Sequence, residues 1–478
     1  MDGPILAIDR DDARPIGEQL VEALRRGILS GDLRTGDPLP STRTLATELA
    51  VSRSSVVAAY ERLAGEGYLE MRQGASTTVA ALESRAVPEP VGRPGASEAD
   101  RVDAPILADL NPGVPSTTRI DERAWRAAWR EAASEPRPIP AWSPPPFGLL
   151  GLREQLADHL RRARGVACSA DDVVVTAGTS EAVALVATAL AALAGRPPRI
   201  GVEDPGYPTA RRTLERRGVV TVPVQAGADG IRPAALDEAG ALDAVMITPS
   251  HQYPLGGRLP VADRLGVLAW AERHDALVIE DDYDSEYRHT GAPLPALASL
   301  DARRSVLLGS FSKVLTPWIR LGYLVLPDHP GLRAAIAEIR ADEQTPVAGP
   351  VQAAMAAFIR SGALRRHIAA SRREYGHRRR LVVEALGDLP GHRLRAIDGG
   401  LHAVLELPDE ASADLVATRL EAQGVLVAPL GRYAVTRPDE HPGIVIGYAG
   451  VSDTVLAEAL ARIRAEVGKA VARSAGSP

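Results

Sequence analysis

Hydrophobic positions in this chain follow two different periods, and the change from one to the other divides it. Over residues 16–30 (IGEQLVEALRRGILS), Ile16, Leu20, Leu24 and Ile28 recur at helical spacing, which predicts an amphipathic helix. In the next stretch, LRTGDPLPSTRTLATELAVSRSSVVAAYERLAGEGYLEMRQGASTTVA, Ser41 or Thr42 caps a helix running to Leu49. After a turn at Ala50-Val51, Ser52 caps a second helix ending near Gly65. Tyr68-Leu69-Glu70 and Thr77-Thr78-Val79, joined through Arg72-Gln73-Gly74, make a two-stranded wing. Residues 81–105 hold four prolines and almost no apolar periodicity, the pattern of a flexible, partly extended linker. From Ile106 onward the pattern changes. Short apolar runs predict buried strands at Val173–Thr176, Ala244–Thr248, Ala276–Glu280, Ser305–Leu308 and Leu321–Leu326. Helical stretches such as Glu181–Leu193 and Pro260–His274 lie between them, which indicates an α/β domain with a mostly parallel sheet. Leu401–Glu406 and Ile444–Tyr448 are strands among helices in a smaller α+β lobe. The expected division is therefore 1–80, a linker at 81–105, 106–470, and a tail at 471–478.

Composition narrows the class. Of 478 residues, 45% are hydrophobic and 24% charged, ordinary for a soluble globular protein. The single Cys168 excludes an internal disulfide and fits a reducing, cytoplasmic setting. Met1–Arg14 carries four aspartates and no apolar core, so no signal peptide is expected. The longest apolar stretch, Ala182–Ala194, is too short to span a bilayer and reads as a buried helix. Net charge of −6 gives no global signal for nucleic acid, and residues 1–80 hold nine Arg against twelve Asp and Glu. Any DNA contact must come from local placement of charge.

Two short helices joined by a tight turn, the second opening Ser-Arg-Ser-Ser, are what a helix-turn-helix needs. Small polar and Arg side chains at that N-terminus reach phosphates and base edges in the major groove. Such a pair by itself is a weak signal, more commonly explained by simple helix packing. The match extends further: PLPSTRTLATELAVSRSSVVAAYERLAGEGYL resembles the winged-helix DNA-binding domain of the GntR family. That resemblance implies contacts to double-stranded DNA from Arg43, Ser52, Arg53 and Ser54, with Arg72 and Gly74 on the wing.

Lysine usage points to a second site. Only Lys313 and Lys469 occur among 55 basic residues, and Lys313 lies within Gly309-Ser310-Phe311-Ser312-Lys313. Where Arg serves nearly everywhere as the cation, a retained lysine suggests chemistry that needs a deprotonated amine, namely imine formation. A chance surface survivor is the plain alternative. Four spaced segments, its own among them, bear on it. Asp204-Pro205-Gly206-Tyr207-Pro208 offers an aromatic ring on a rigid turn, although Tyr207 could simply be core. Glu280-Asp281-Asp282-Tyr283-Asp284 ends a buried strand, where open α/β sheets place ligands; alone it could equally be a divalent-metal site or a solvated strand end. Ser310, Ser312, Lys313 and Arg320 supply hydroxyls, an amine and a phosphate-binding cation. Ala177-Gly178-Thr179-Ser180 opens a helix and offers backbone N–H groups to a phosphate, or is an ordinary helix start.

In this order, the set resembles fold-type I aminotransferases, which depend on pyridoxal 5′-phosphate (PLP), across residues 106–470. The resemblance implies that Lys313 forms the Schiff base, Asp281 pairs with the pyridine nitrogen, Tyr283 bonds the ring hydroxyl and Tyr207 stacks on the ring. Gly178, Thr179, Ser180, Ser310, Ser312 and Arg320 would hold the phosphate. Thr248-Pro249-Ser250-His251-Gln252-Tyr253-Pro254-Leu255-Gly256 occupies the place of the aminotransferase Asn-Pro-x-Gly loop, which puts Gln252 among the expected cofactor contacts. A winged helix, a linker and an aminotransferase-like domain together resemble the MocR-type regulators of the GntR family, and HQYPLG and EDDYDSEY are forms seen in that group. The resemblance implies a homodimer whose aminotransferase-like domain senses a ligand rather than turning one over. One departure selects among effectors. Where aminotransferases and GABA-responsive members carry arginines for a substrate carboxylate, this chain has Val445 and Thr209, with His402 or Arg432 as spatial substitutes. That favours the PdxR subgroup, in which PLP itself is the effector, over an amino-acid- or GABA-responsive regulator or one retaining aminotransferase activity.

Overall fold

The computed structural model describes residues 8, 10, 12, 14–71, 76–81, 105–134, 144–291 and 294–474. The chain separates into two compact units, Met1–Asp100 and Arg101–Pro478. The linker expectation falls almost wholly outside the described residues, as do Arg72 and Gly74.

In the first unit, helices Ile16–Leu29, Thr42–Glu48 and Arg53–Gly65 enclose one apolar cluster built on Leu20, Leu24, Leu45, Val56, Tyr60 and Leu63. Both predicted caps form. Ser41 Oγ accepts from Thr44 N and Ser52 Oγ from Ser55 N, each at 3.1 Å, which satisfies N–H groups that the helices leave open. Antiparallel strands Leu69–Glu70 and Thr78–Val79 form the wing.

The second unit is built on an eight-stranded sheet in the order Val173–Thr176, Gly322–Val325, Ser305–Ser310, Leu277–Asp282, Ala244–Ile247, Arg199–Asp204, Val220–Gly227 and Gly230–Ile231. The five strands from Ser305–Ser310 to Val220–Gly227 run parallel, while Gly322–Val325 and Gly230–Ile231 are antiparallel to their neighbours, so the sheet is mixed. Alternate residues divide between two cores: Val173, Val175 and Leu307 enter one, Val174, Val306 and Leu308 the other. Burial on both faces is why these strands read as continuous apolar runs. Arg199–Asp204 and Val220–Gly227 do not read that way, because Gly201, Pro223 and Gln225 interrupt them. The smaller lobe is an antiparallel sheet of Arg393–Arg395, His402–Glu406, Gly443–Gly447 and Ala428–Pro429, flanked by Glu410–Glu421 and Asp453–Ser474. The long helix Ala363–Leu386 precedes this lobe. Among the described residues no helix is long and apolar enough to cross a membrane.

Candidate functional site

One edge of the large sheet carries a cavity of about 310 Å³. Ser310 and Thr176 both pair with Gly322 across their ladders, so the turns after Val173–Thr176 and Ser305–Ser310 emerge side by side with the approach to Gly322–Val325. Asp281, near the end of the neighbouring strand, joins them. The cavity is lined by Gly178, Thr179, Ser180, Tyr207, Asp281, Tyr283, Ser310, Ser312, Lys313 and Arg320. Motifs spread over 143 residues of sequence thus converge where parallel sheets place their ligands.

Each part is positioned by its own chain geometry. Gly178 sits at φ +92° and caps helix Thr179–Ala194, an orientation that opens the first helical N–H groups to an anion. Glu181 braces that turn, accepting from Ala177 N at 3.1 Å and pairing with Arg340 at 2.9 Å. Arg320 holds a left-handed backbone at φ +47°, uncommon for a residue with a Cβ, and forms no ion pair with a described residue. Its charge therefore faces the cavity without a partner. Lys313 Nζ donates to the Gly113 carbonyl at 2.7 Å, and a Cβ on Gly113, itself at φ +97°, would lie 2.4 Å from that nitrogen.

Electrostatics set the charge states. Burial first, then Asp282 and Asp284, push the Asp281 carboxyl up to about 7, against the opposing pull of Lys313. Desolvation lowers Lys313 from the usual lysine range, and Asp281 and Asp284 offset part of this. Burial raises the Tyr283 phenol well above its ordinary value. His251 Nδ1 lies 2.9 Å from Tyr283 Oη and 2.8 Å from Asp284 Oδ2. His402, fully buried, is pushed down to about 4 by desolvation and by His251. Its Nε2 donates to the Pro254 carbonyl at 2.9 Å, a bond that partly opposes that downward push.

These residues fit PLP. Asp281 Oδ1 is buried with no partner, and a protonated ring nitrogen would supply one. The helix N-terminus, the Ser310 and Ser312 hydroxyls and the unpaired Arg320 suit a phosphate, and an amine of lowered basicity suits a carbonyl carbon. When bound, PLP supplies an electron sink conjugated to whatever nitrogen its aldehyde carbon holds.

The structure departs from sequence expectation at one cofactor contact. Gln252 is fully buried and does not line the cavity. Its Nε2 donates to the Pro205 and Tyr253 carbonyls at 2.8 Å, tying two loops together beneath the site. Tyr253, the next residue, lines the cavity instead, edge-on to Tyr207 and Tyr283. It stands directly before the proline, where the aminotransferase loop has Asn, and that position is the signal that would have found it. Thr209, Thr248, Leu401, His402, Pro112 and Gly113 complete the lining. Neither spatial substitute for a carboxylate-binding arginine serves. Arg432 is exposed outside the cavity, and His402 lines it uncharged. Val445 pairs with Val404 and packs among Leu255, Ala428 and Leu430, with Tyr433 alongside, so this position belongs to an apolar cluster.

In the N-terminal unit, Arg43, Ser52, Arg53 and Ser54 are all exposed around the turn between the second and third helices. Arg14, Arg25, Arg26 and Arg62 are engaged with Asp12, Glu22 or Glu66, whereas Arg43 and Arg53 form no ion pair among the described residues. Arg10 and Arg34 also form no ion pair among the described residues, but Arg43 and Arg53 are the two such cations that flank the recognition turn.

Comparison with known proteins agrees with both halves. Residues 16–79 match the gntR family of bacterial regulatory proteins, and residues 109–463 match aminotransferase class I and II. The chain is 45% identical to the HTH-type pyridoxine biosynthesis transcriptional regulator PdxR of Corynebacterium glutamicum, covering 96% of this chain and 97% of that protein. It is 33% identical to the probable rhizopine catabolism regulatory protein MocR of Rhizobium meliloti, covering 96% and 95%. Among solved structures, a multiple substrate aminotransferase from Thermococcus profundus superposes with a TM-score of 0.69 at 22% identity, covering 79% of this chain and 96% of that one.

Proposed function

The chain belongs to the MocR-type transcriptional regulators of the GntR family, with an aminotransferase class I and II domain, and on that premise we propose that it senses PLP to control genes of vitamin B6 biosynthesis. One observation carries this reading: Lys313 and Arg320 are the only cationic side chains among the described cavity residues. Both have a use in holding PLP, Lys313 on the aldehyde carbon and Arg320 on the phosphate. An amino acid would bring a carboxylate that no remaining cation receives. The relationship to a pyridoxine biosynthesis regulator supports the same effector.

In this reading Asp281 accepts from the protonated pyridine nitrogen and Tyr283, oriented by His251, bonds the ring oxygen. Tyr207 and Tyr253 wall the ring, and the helix N-terminus at Thr179 and Ser180 receives the phosphate together with Ser310 and Ser312. Arg43, Ser52, Arg53 and Ser54 contact the operator. The regulator works in the cytoplasm as a homodimer. PLP acts by binding one arrangement of the dimer better than another, since a ligand of equal affinity for both shifts nothing.

The test is the affinity of the PLP-free protein, the PLP-bound protein, and the PLP-bound protein with amino acids including GABA, for DNA from the intergenic region beside its own gene. PLP alone should change affinity or transcription. If PLP changes neither while one amino acid does, the effector is an amino compound and the PLP-sensor reading fails.

A further inference from the structure

Helix Ala363–Leu386 carries seven arginines against two glutamates, in a chain of net charge −6. Six of the seven form three neighbouring pairs at seven-residue spacing: Arg365-Arg366, Arg372-Arg373 and Arg379-Arg380. Seven residues are nearly two helical turns, so matching members of the pairs fall on one line along the helix. The line Arg366, Arg373, Arg380 is exposed. The adjacent Arg372 and Arg379 are half-buried and donate to the Glu286 and Ile397 carbonyls, which anchors the ridge to the domain.

Of this helix's arginines only Arg378 enters an ion pair with a described residue, bridging Glu374 and Asp453. Arg366 touches the Ser361 carbonyl, and Arg373 and Arg380 hold no described partner. Elsewhere in the domain some exposed arginines, such as Arg126, Arg196, Arg437 and Arg464, have a carboxylate at hand, while others, such as Arg216, Arg217 and Arg258, hold none among the described residues, so what sets this helix apart is the regular row. A row of unpaired like charges on an acidic protein gains nothing from folding and repels itself. An extended anion would reverse that balance. The row runs about 21 Å at 1.5 Å per residue. Duplex DNA places one charge every ~1.7 Å of its axis, both strands counted, so a row of this length lies along a segment carrying on the order of 12 phosphates, some of which face it.

We propose that this helix is a second, sequence-independent DNA contact, by which the effector domain holds duplex backbone outside the segment read by the winged helix. The proposal rests on the DNA-binding part of the function above, and it answers a deficit in that module. Residues 1–80 are themselves slightly acidic, so they bring few cations for phosphate.

The experiment uses the full chain, a random-sequence 60-base-pair duplex, and Arg366→Gln, Arg373→Gln and Arg380→Gln combined. Binding is followed over a range of salt concentrations, with the PLP absorption band and thermal midpoint as checks on folding. Each lost phosphate contact lowers the slope of log affinity against log salt by about 0.9, so the triple variant should lose about 2–3 from the slope. Affinity at low salt should fall at least tenfold. Should the triple variant fold poorly, Arg373→Gln alone should lower the slope by about 0.9. An unchanged slope in a folded variant overturns the proposal and leaves the face to an acidic protein partner. No binding of the unmodified chain to the random duplex would also overturn the proposal, whereas no binding to DNA from the intergenic region beside its own gene would overturn the function on which it rests.

Discussion

Replacing Asp281 by Asn should stabilise the PLP-free protein at alkaline pH while weakening its hold on PLP. Burial pushes this carboxyl up to about 7 from an ordinary 3.8. A carboxyl whose folded value lies above its unfolded one keeps its proton longer in the folded state. Stability is therefore lost as pH rises from about 4 through 7, and the full cost remains above that. Three units correspond to roughly 4 kcal/mol at 1.36 kcal/mol each. Asn removes the cost but also withdraws Coulombic support from Lys313, which leaves a net gain of about 2–3 kcal/mol at pH 8.5. With an unfolding entropy of about 2.1 cal/mol/K per residue over the aminotransferase-like unit, the thermal midpoint should rise by roughly 3–4 °C. The gain should shrink towards pH 5, where Asp281 is already protonated when folded. Scanning calorimetry of both proteins, stripped of PLP, at pH 5 and 8.5 measures this directly. Equal midpoints at pH 8.5, or a gain independent of pH, would show that Asp281 carries no buried charge and refute the reasoning. PLP affinity of the same variant should fall, because an amide cannot stabilise the protonated pyridine as a carboxylate does.

Three other outcomes are expected. Lys313→Ala should abolish the imine absorption band, and borohydride should fix the label onto the Lys313 peptide of the unmodified chain only. Arg320→Ala should weaken PLP binding by about 2–5 kcal/mol, the cost of removing one partner of a charge-assisted contact, read by spectral titration. Arg43→Ala and Arg53→Ala should each cost about 1–3 kcal/mol in operator affinity by fluorescence anisotropy, and unchanged affinity in both would mean that the recognition turn faces elsewhere.

Sequence carried the winged helix and most of the cofactor cavity because their signals are local. A Ser cap, an apolar stripe or a strand ending in acids needs only neighbouring residues to be read. The Ser250–Tyr253 segment shows where this stops. Gln252 and Tyr253 are adjacent and both polar enough to suit a ligand, yet a turn sends one inward to tie backbone carbonyls and the other to the cavity. Nothing in the residue types says which. His402 fails for another reason: its place in the cavity comes from the smaller lobe, and its lack of charge from burial beside His251. The polar-interrupted strands Arg199–Asp204 and Val220–Gly227 are set by their neighbours in the sheet rather than by their own pattern.

In the proposed reading, the buried groups of the cavity are where PLP would gain its leverage. Desolvation raises the Asp281 carboxyl and lowers the Lys313 amine from their ordinary ranges. A ligand that brings a ring N–H to the first and a carbonyl carbon to the second relieves both at once, so the PLP-bound and PLP-free domains differ in free energy by more than surface contacts supply. Under the proposed function, that difference is what would favour one dimer arrangement over another. An amino acid draws on none of it. Its carboxylate would find no cationic side chain in the cavity beyond Lys313 and Arg320, with His402 pushed away from its charged form. Leaving a charge desolvated and unpaired costs about 3–5 kcal/mol. At 1.4 kcal/mol per factor of ten, that is on the order of 10²–10⁴ in affinity, enough to separate a domain that reads PLP from one that uses it to transform an amino acid.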